Sequence, residues 1–192
     1  MSKIFTTSYS DQACNLITAL VKSVRPTTAI EIGCQQGRST VAIAAGLEST
    51  ARLVSADLFE EKYDAPPYLE THASQEKALE NLRASNPICE FEIRKQSDAQ
   101  LASEIRGNVD LLHVDICNWF GNLEPILNRW QEKVNKMILL EGGMRAGNSW
   151  QRKYGFKPWR EILDGGVFFA HWDSCTIPFN DHNALTVMTR KQ

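Results

Sequence analysis

Five acidic residues, Glu31, Asp57, Asp98, Asp115 and Glu141, stand at or just beyond the ends of short apolar runs, and two glycines, Gly33 and Gly37, break the first of those runs. Carboxylates so placed can accept hydrogen bonds from hydroxyl and amino groups or take up a proton. Glu31 puts a charge into an otherwise apolar strand end, which is costly unless neighbours hydrogen-bond it. Asp57 follows Gly33 by 24 residues, the spacing at which a carboxylate accepts both ribose hydroxyls of an adenosine. That spacing serves any adenosine ligand, and the competing role for Asp57 is to cap a turn or helix.

The stretch Ala29 to Thr40 reads A-I-E-I-G-C-Q-Q-G-R-S-T, an apolar strand that passes through two glycines into a helix. Gly33 lets the chain leave the strand tightly, because a residue without Cβ adopts positive φ cheaply. Gly37 lets the backbone approach a ligand or the strand. Cys34, inside the turn, is placed to touch a ligand. A dinucleotide fingerprint requires glycines at the first, third and sixth places of the turn. Counted from Gly33, the third and sixth are Gln35 and Arg38, which disfavours a nucleotide-dependent oxidoreductase.

E-I-G-C-Q-Q-G-R-S resembles the first motif of class I S-adenosylmethionine-dependent methyltransferases, acid-x-Gly-x-x-x-Gly-x-Ser/Thr. The resemblance implies a methionine tail over Gly33 to Gly37, with Glu31 near its amino group and Ser39 near its carboxylate. Asp98 and Ala99 follow the third strand in Q-S-D-A; in that class such an acid bonds the adenine amino group and the small residue leaves room for the ring. Ser97 or Asp98 serves equally well as the N-cap of the next helix. The cofactor contacts implied in this way fall on Glu31, Gly33, Cys34, Gln35, Gly37, Ser39, Asp57, Leu58, Ser97, Asp98, Ala99 and Asp115.

V-D-L-L-H-V-D-I-C-N-W-F, around Asp115, is similar to the V-D-L-I-H-I-D-G-x-H-x-Y signature of a small-molecule subfamily that includes sugar and antibiotic O-methyltransferases. The likeness covers residues 28–143. Asn118 replaces the histidine of that signature, Phe120 the tyrosine and Ile116 the glycine, so the histidine's role as general base is not carried over. His113, within the strand, reads as a core histidine. Some relatives hold Mg²⁺ with the fourth-strand acid and two acids after the fifth strand. Here Glu141 is followed by Gly142, and a hard cation needs only one or two carboxylates when waters and substrate oxygens complete its shell. A magnesium ion is therefore allowed but not demanded. Without it, Asp115 or Glu141 acts as a base or orients the acceptor, and His171, in F-F-A-H-W-D, is a further base candidate.

These residues need a scaffold that gathers strand ends along one edge. An apolar stripe predicts a helix over Asp11–Val24, ended by Arg25-Pro26, before a first strand at Thr28–Ile32. Further strands are expected at Ala51–Ala56, Cys89–Arg94, Val109–Val114, Met137–Leu140, Val167–His171 and Leu185–Thr189. Helices are expected at Ser39–Leu47, Ala73–Ala84, Asp98–Ile105, from an Asn122 cap to Lys133, and at Trp159–Leu163. The alternation predicts a single α/β domain: a doubly wound, Rossmann-like, mostly parallel seven-stranded sheet with an antiparallel last strand and helices on both faces. Residues 1–27 form an N-terminal helix and lid, 28–143 the cofactor-binding core and 144–192 the acceptor side. Two stretches are lid candidates: Phe5–Tyr9, and Met144–Pro158 with its aromatic and basic residues. The second reads equally as a surface segment packing its aromatics.

The chain has 192 residues, 43% hydrophobic and 23% charged, as in an ordinary globular domain. A net charge of -2 argues against a general grip on nucleic acid, and no run of apolar residues is long enough to span a membrane. Five scattered cysteines without a C-x-x-C pair suit a reducing cytoplasm and neither a disulfide framework nor a zinc knuckle. The expected activity is methyl transfer from S-adenosyl-L-methionine to a small-molecule acceptor in a biosynthetic pathway. A noncatalytic S-adenosylmethionine-binding regulatory domain is the alternative. Oligomeric state is left open, a homo-oligomer included.

Overall fold

A computed structural model describes residues 11–59, 74–116, 120–143, 160, 170–179 and 184–191. Helix α1 spans Asp11–Val24 and buries Ala13, Ile17 and Val21, the i, i+4, i+8 stripe that its sequence carries. Strand β1 (Thr28–Ile32) leads through the glycine turn into α2 (Arg38–Ala44). Then follow β2 (Arg52–Asp57), α3 (Gln75–Ala84), β3 (Glu90–Lys95), α4 (Asp98–Glu104), β4 (Val109–Val114), α5 (Phe120–Trp130), β5 (Val134–Glu141), β6 (Trp172–Pro178) and β7 (Ala184–Arg190).

The strands form one sheet in the order β3-β2-β1-β4-β5-β7-β6. β1 pairs parallel with both β2 and β4, β2 with β3 and β4 with β5, while β7 runs antiparallel between β5 and β6. The doubly wound sheet with an antiparallel last strand is thus as the residue pattern predicts. Strand order reverses between β1 and β4, and in open α/β sheets ligands bind in the crevice outside the carboxyl ends at that point.

Two apolar cores flank the sheet. Ala29, Leu53, Leu111 and Leu139 pack with Ile17 of α1, Ile43 of α2 and Leu82 of α3. On the other face Ile30, Val54, Leu112 and Ile138 pack with Leu101 of α4 and Leu127 and Trp130 of α5. The central strands read as continuous apolar runs because both faces are covered. Each fully buried Leu or Ile contributes about 1.5–3 kcal/mol relative to exposure.

Two local expectations change. α5 begins at Phe120, so Asn122 lies inside its first turn rather than capping it, and Pro125 falls beyond that turn. Its missing N–H removes the bond that the Gly121 carbonyl would otherwise receive. The strand expected at Val167–His171 stands instead at Trp172–Pro178, with His171 before it. The helix expected at Trp159–Leu163 and the lid candidates Phe5–Tyr9 and Met144–Pro158 lie outside the described residues, apart from Arg160, which is helical. Among the described residues no helix is long and apolar enough to cross a membrane.

Candidate functional site at the carboxyl edge

The glycine turn is shaped first by packing. Gly33 has φ 86°, and a Cβ on it would collide with the carbonyl oxygen of Asp115, where the ends of β1 and β4 lie side by side. Asp115 N–H donates to the Ile32 carbonyl at 2.9 Å, and Gly33 N–H donates to the Ala56 carbonyl at 2.8 Å, tying three strand ends together. Gly37, at φ 84°, approaches α3: a Cβ there would lie 3.2 Å from the Ala78 carbonyl oxygen. The close approach that its sequence suggests is therefore to a helix.

Asp57 closes β2 against this turn. Its Oδ2 accepts from the backbone N–H of Cys34 and of Gln35, each at 2.9 Å, and its Oδ1 accepts from Phe59 N–H at 2.9 Å. A carboxylate offers about four acceptor positions; three are filled by backbone donors, which leaves about one for a ligand hydroxyl rather than two. The turn-capping role of Asp57 is realised, and it orders the loop around it. Burial, reinforced by the charges of Glu31 and Asp57, pushes the Cys34 thiol well up, so it is an uncharged core side chain.

Glu31 is fully buried and multiply bonded. Its Oε2 accepts from the Thr40 hydroxyl at 2.5 Å and the Ser55 hydroxyl at 2.7 Å, and its Oε1 lies 3.2 Å from His113 Nδ1. Burial alone would raise this carboxyl; the hydrogen bond and charge of His113, with the Ser39 and Thr40 hydroxyls, overcome it and hold Glu31 below the usual range. His113 is itself fully buried, the core histidine that its place in the strand implies. Ser39 is buried and bonds Glu31.

Two residues beyond His113 on the same face, Asp115 meets Glu141 from the end of β5. Both are half-buried and their carboxyls share a hydrogen bond. Burial raises both, and for Asp115 the Glu141 carboxylate adds to the rise, so the pair retains a proton above the usual carboxylate range. Among the described residues no three metal-ligating side chains cluster.

A cavity of about 380 Å³ opens beside these strand ends. Ile32, Gly33, Ala56, Asp57 and Leu58 line it from the β1 and β2 side, Gln96, Ser97 and Asp98 from the start of α4, Ile116 from the end of β4, and Gly121, Asn122, Pro125, Ile126 and Arg129 from α5. Ser97 is the N-cap of α4, in a capping box with Gln100. Asp98 occupies the first turn, and its Oδ2 accepts from Arg129 Nε at 2.9 Å. Of the residues singled out from sequence, Gly33, Asp57, Leu58, Ser97 and Asp98 line this cavity; Glu31, Cys34, Gln35, Gly37, Ser39, the exposed Ala99, Asp115 and Glu141 do not.

His171 requires a correction. β6 runs parallel to β5 through the antiparallel β7, and His171 precedes β6, where its carbonyl accepts from Lys191 N–H beyond the end of β7. It therefore lies at the amino edge of the sheet, opposite Asp115 and Glu141. The expected strand ended at His171 and so placed it at the wrong edge. Arg129, Gln96 and the Gly121–Pro125 face of α5 were missed. A helix face of Gly, Pro and Arg carries no apolar stripe and reads as a solvated surface. The substituted positions Asn118 and the neighbouring Cys117 lie outside the described residues.

Solved structures with this fold include a candidate O-methyltransferase from Klebsiella pneumoniae (15% identity, 98% of this chain and 84% of that one, TM-score 0.72). Another is an O-methyltransferase from Bacillus cereus in complex with SAH (16%, 99% and 86%, TM-score 0.68). A third is the O-methyltransferase TomG from Streptomyces achromogenes, involved in tomaymycin synthesis and solved with SAM (13%, 96% and 82%, TM-score 0.68). A search of the curated proteins finds no match. At these identities the solved structures speak to the fold; the family is shown by residues 30–151, which match the model of the methyltransferase domain, and this chain belongs to that family.

Proposed function

We propose that the chain is an S-adenosylmethionine-dependent methyltransferase that methylates a small-molecule acceptor. The observation that carries this reading is the cavity at the β1/β4 reversal, in a chain of the methyltransferase domain family. Its lining suits an adenosine. Ile32, Ala56, Leu58, Ile116 and Ile126 offer apolar surface to a ring, and Asp57 and Asp98 offer acceptors to hydroxyl and amino donors. Its volume lies within the range of small-ligand pockets, about 300–1,000 Å³.

In this reading Asp57 takes one ribose hydroxyl with its remaining acceptor position, and Asp98 takes the adenine amino group. S-adenosylmethionine, when bound, supplies an electrophilic methyl group on a sulfonium. The work left to the chain is to hold an acceptor in line with that methyl and to exclude water. Asp115 and Glu141 orient the acceptor and take its proton. With a proton shared between them, one carboxyl donates to the acceptor while the other accepts. A magnesium ion fits the same pair only if waters and acceptor oxygens complete its shell, since Gly142 provides no side chain. We read 28–143 as the cofactor-binding core, with 144–192 facing the acceptor, and the cysteine usage as that of a cytoplasmic protein.

Transfer of labelled methyl from S-adenosylmethionine to a panel of phenols, sugars and amino acids, with and without EDTA, tests the reading. Turnover supports the enzyme, and its loss in EDTA assigns the metal. Cofactor binding without turnover of any acceptor favours the second reading, a noncatalytic binding domain. The observation behind that alternative is the single acid, Glu141, at the end of β5.

A further inference from the structure

Arg129 is the only charged side chain that α5 contributes to the cavity lining. Gly121, Pro125 and Arg129 fall at i, i+4 and i+8, so one face of the helix carries little bulk for two turns and then a guanidinium. That guanidinium is held twice: Nη1 donates to the Pro125 carbonyl at 3.1 Å, and Nε donates to Asp98 Oδ2 at 2.9 Å. The Asp98 side chain is only 17% exposed. Its Oδ1 has no partner among the described residues, although both residues line the same cavity. An ion pair on open surface adds little; one that flanks a ligand cavity decides which carboxylate oxygen remains available.

We propose that Arg129 is a positioning residue of the adenosine site: it engages Asp98 through Oδ2 and so presents Oδ1 to the 6-amino group of an adenine ring, which makes the site selective for 6-amino over 6-oxo purines. The inference rests on the methyltransferase reading and adds to it the residue that sets base selectivity. The oxygen of a 6-oxo purine faces a carboxylate oxygen with no proton between them, whereas the amino group donates. Arginine suits the task because its planar fork fixes direction as well as charge; a lysine ammonium supplies charge alone.

Calorimetric titration of the full chain with S-adenosylhomocysteine and with its 6-oxo counterpart, S-inosylhomocysteine, tests the proposal. The unaltered chain is expected to bind the adenine compound at least about tenfold more tightly, the size of one hydrogen bond to a charged acceptor. Arg129→Ala should weaken S-adenosylhomocysteine about tenfold and leave S-inosylhomocysteine unchanged, with Arg129→Lys intermediate. Asp98→Ala should produce the same loss, and the double variant no more than either, because the two act as a unit. Equal weakening of both ligands by Arg129→Ala assigns the arginine to folding alone and overturns the proposal, as does unchanged affinity for both. If the unaltered chain binds neither compound, the methyltransferase reading itself fails and the inference falls with it. If the chain binds S-adenosylhomocysteine and the Arg129 variant behaves identically, only the inference falls.

Discussion

Glu31 and the Asp115–Glu141 pair occupy the same face of adjoining strands, one two-residue step apart: Glu31 is in register with His113, and Asp115 follows two residues later. The lower site surrounds a single carboxylate with a histidine and three hydroxyl groups, and its carboxyl is held below the usual range. The upper site sets one carboxyl against another at the mouth of the sheet, and both are pushed up. A charge given partners becomes structure; two charges crowded at an open edge keep a proton to exchange. Acids on adjoining strands are thus sorted into a bonded scaffold and a proton-retaining pair by a rise of one β-repeat, roughly 6.6 Å.

Glu31→Ala should give the largest effect. It removes the buried carboxylate that His113, Thr40 and Ser55 share, and denaturant unfolding should show a loss of about 3–5 kcal/mol. A nearly neutral result would mean that the lower site is not the scaffold described. Gly33→Ala forces a side chain against Asp115 at positive φ, at a cost of about 3 kcal/mol or more, read in the same experiment. Glu141→Gln reverses the pattern. It relieves crowding, so stability should hold or rise, while methyl transfer falls on the order of 10²-fold. A matched loss of stability and turnover would erase the distinction between the two sites.

The pH dependence sharpens the same contrast. Glu31 is depressed from an ordinary 4.5, so its stabilisation is complete above that value and lost as pH falls through its lower native pKa. Asp115 is raised well above an ordinary 3.8, so the native state holds more protons than the unfolded chain above that value, and stability declines as pH rises through the gap. Unfolding free energy should climb to about pH 4.5 and then slope downward, and Glu141→Gln should flatten the downward limb. The smallest effect is expected from His171→Ala: unchanged turnover, measured by methyl transfer, as befits a residue at the opposite edge of the sheet. A large loss would return His171 to the site.

The sheet was legible because its signals are redundant. β4 is apolar at nearly every position, α1 carries a clean stripe, and Thr28–Ile32 runs straight into two glycines. The partners of individual acids were less so. Asp57 spends its oxygens on backbone N–H groups, and a donor with no side-chain identity leaves no mark in a sequence. Arg129 was invisible because its partner, Asp98, lies 31 residues away on another helix. His171 was misplaced by a strand boundary, and in an alternating sheet such a slip carries a residue from one edge to the other. The Glu31 environment was half legible: a buried acid requires partners, but only strand register places Ser55 and His113 beside it.

The cavity between the ends of β1, β2 and β4 is the proposed seat of the adenosine. Calorimetry with S-adenosylhomocysteine, run on the unaltered chain and on Gly121→Phe, addresses this directly. Gly121 is exposed on α5 and lines the cavity, so the phenyl ring should fill the space while helix propensity rises. The expected result is saturable one-to-one binding by the unaltered chain and none by a Gly121→Phe variant of undiminished thermal stability. Undisturbed binding in that variant would place the ligand elsewhere and contradict the account.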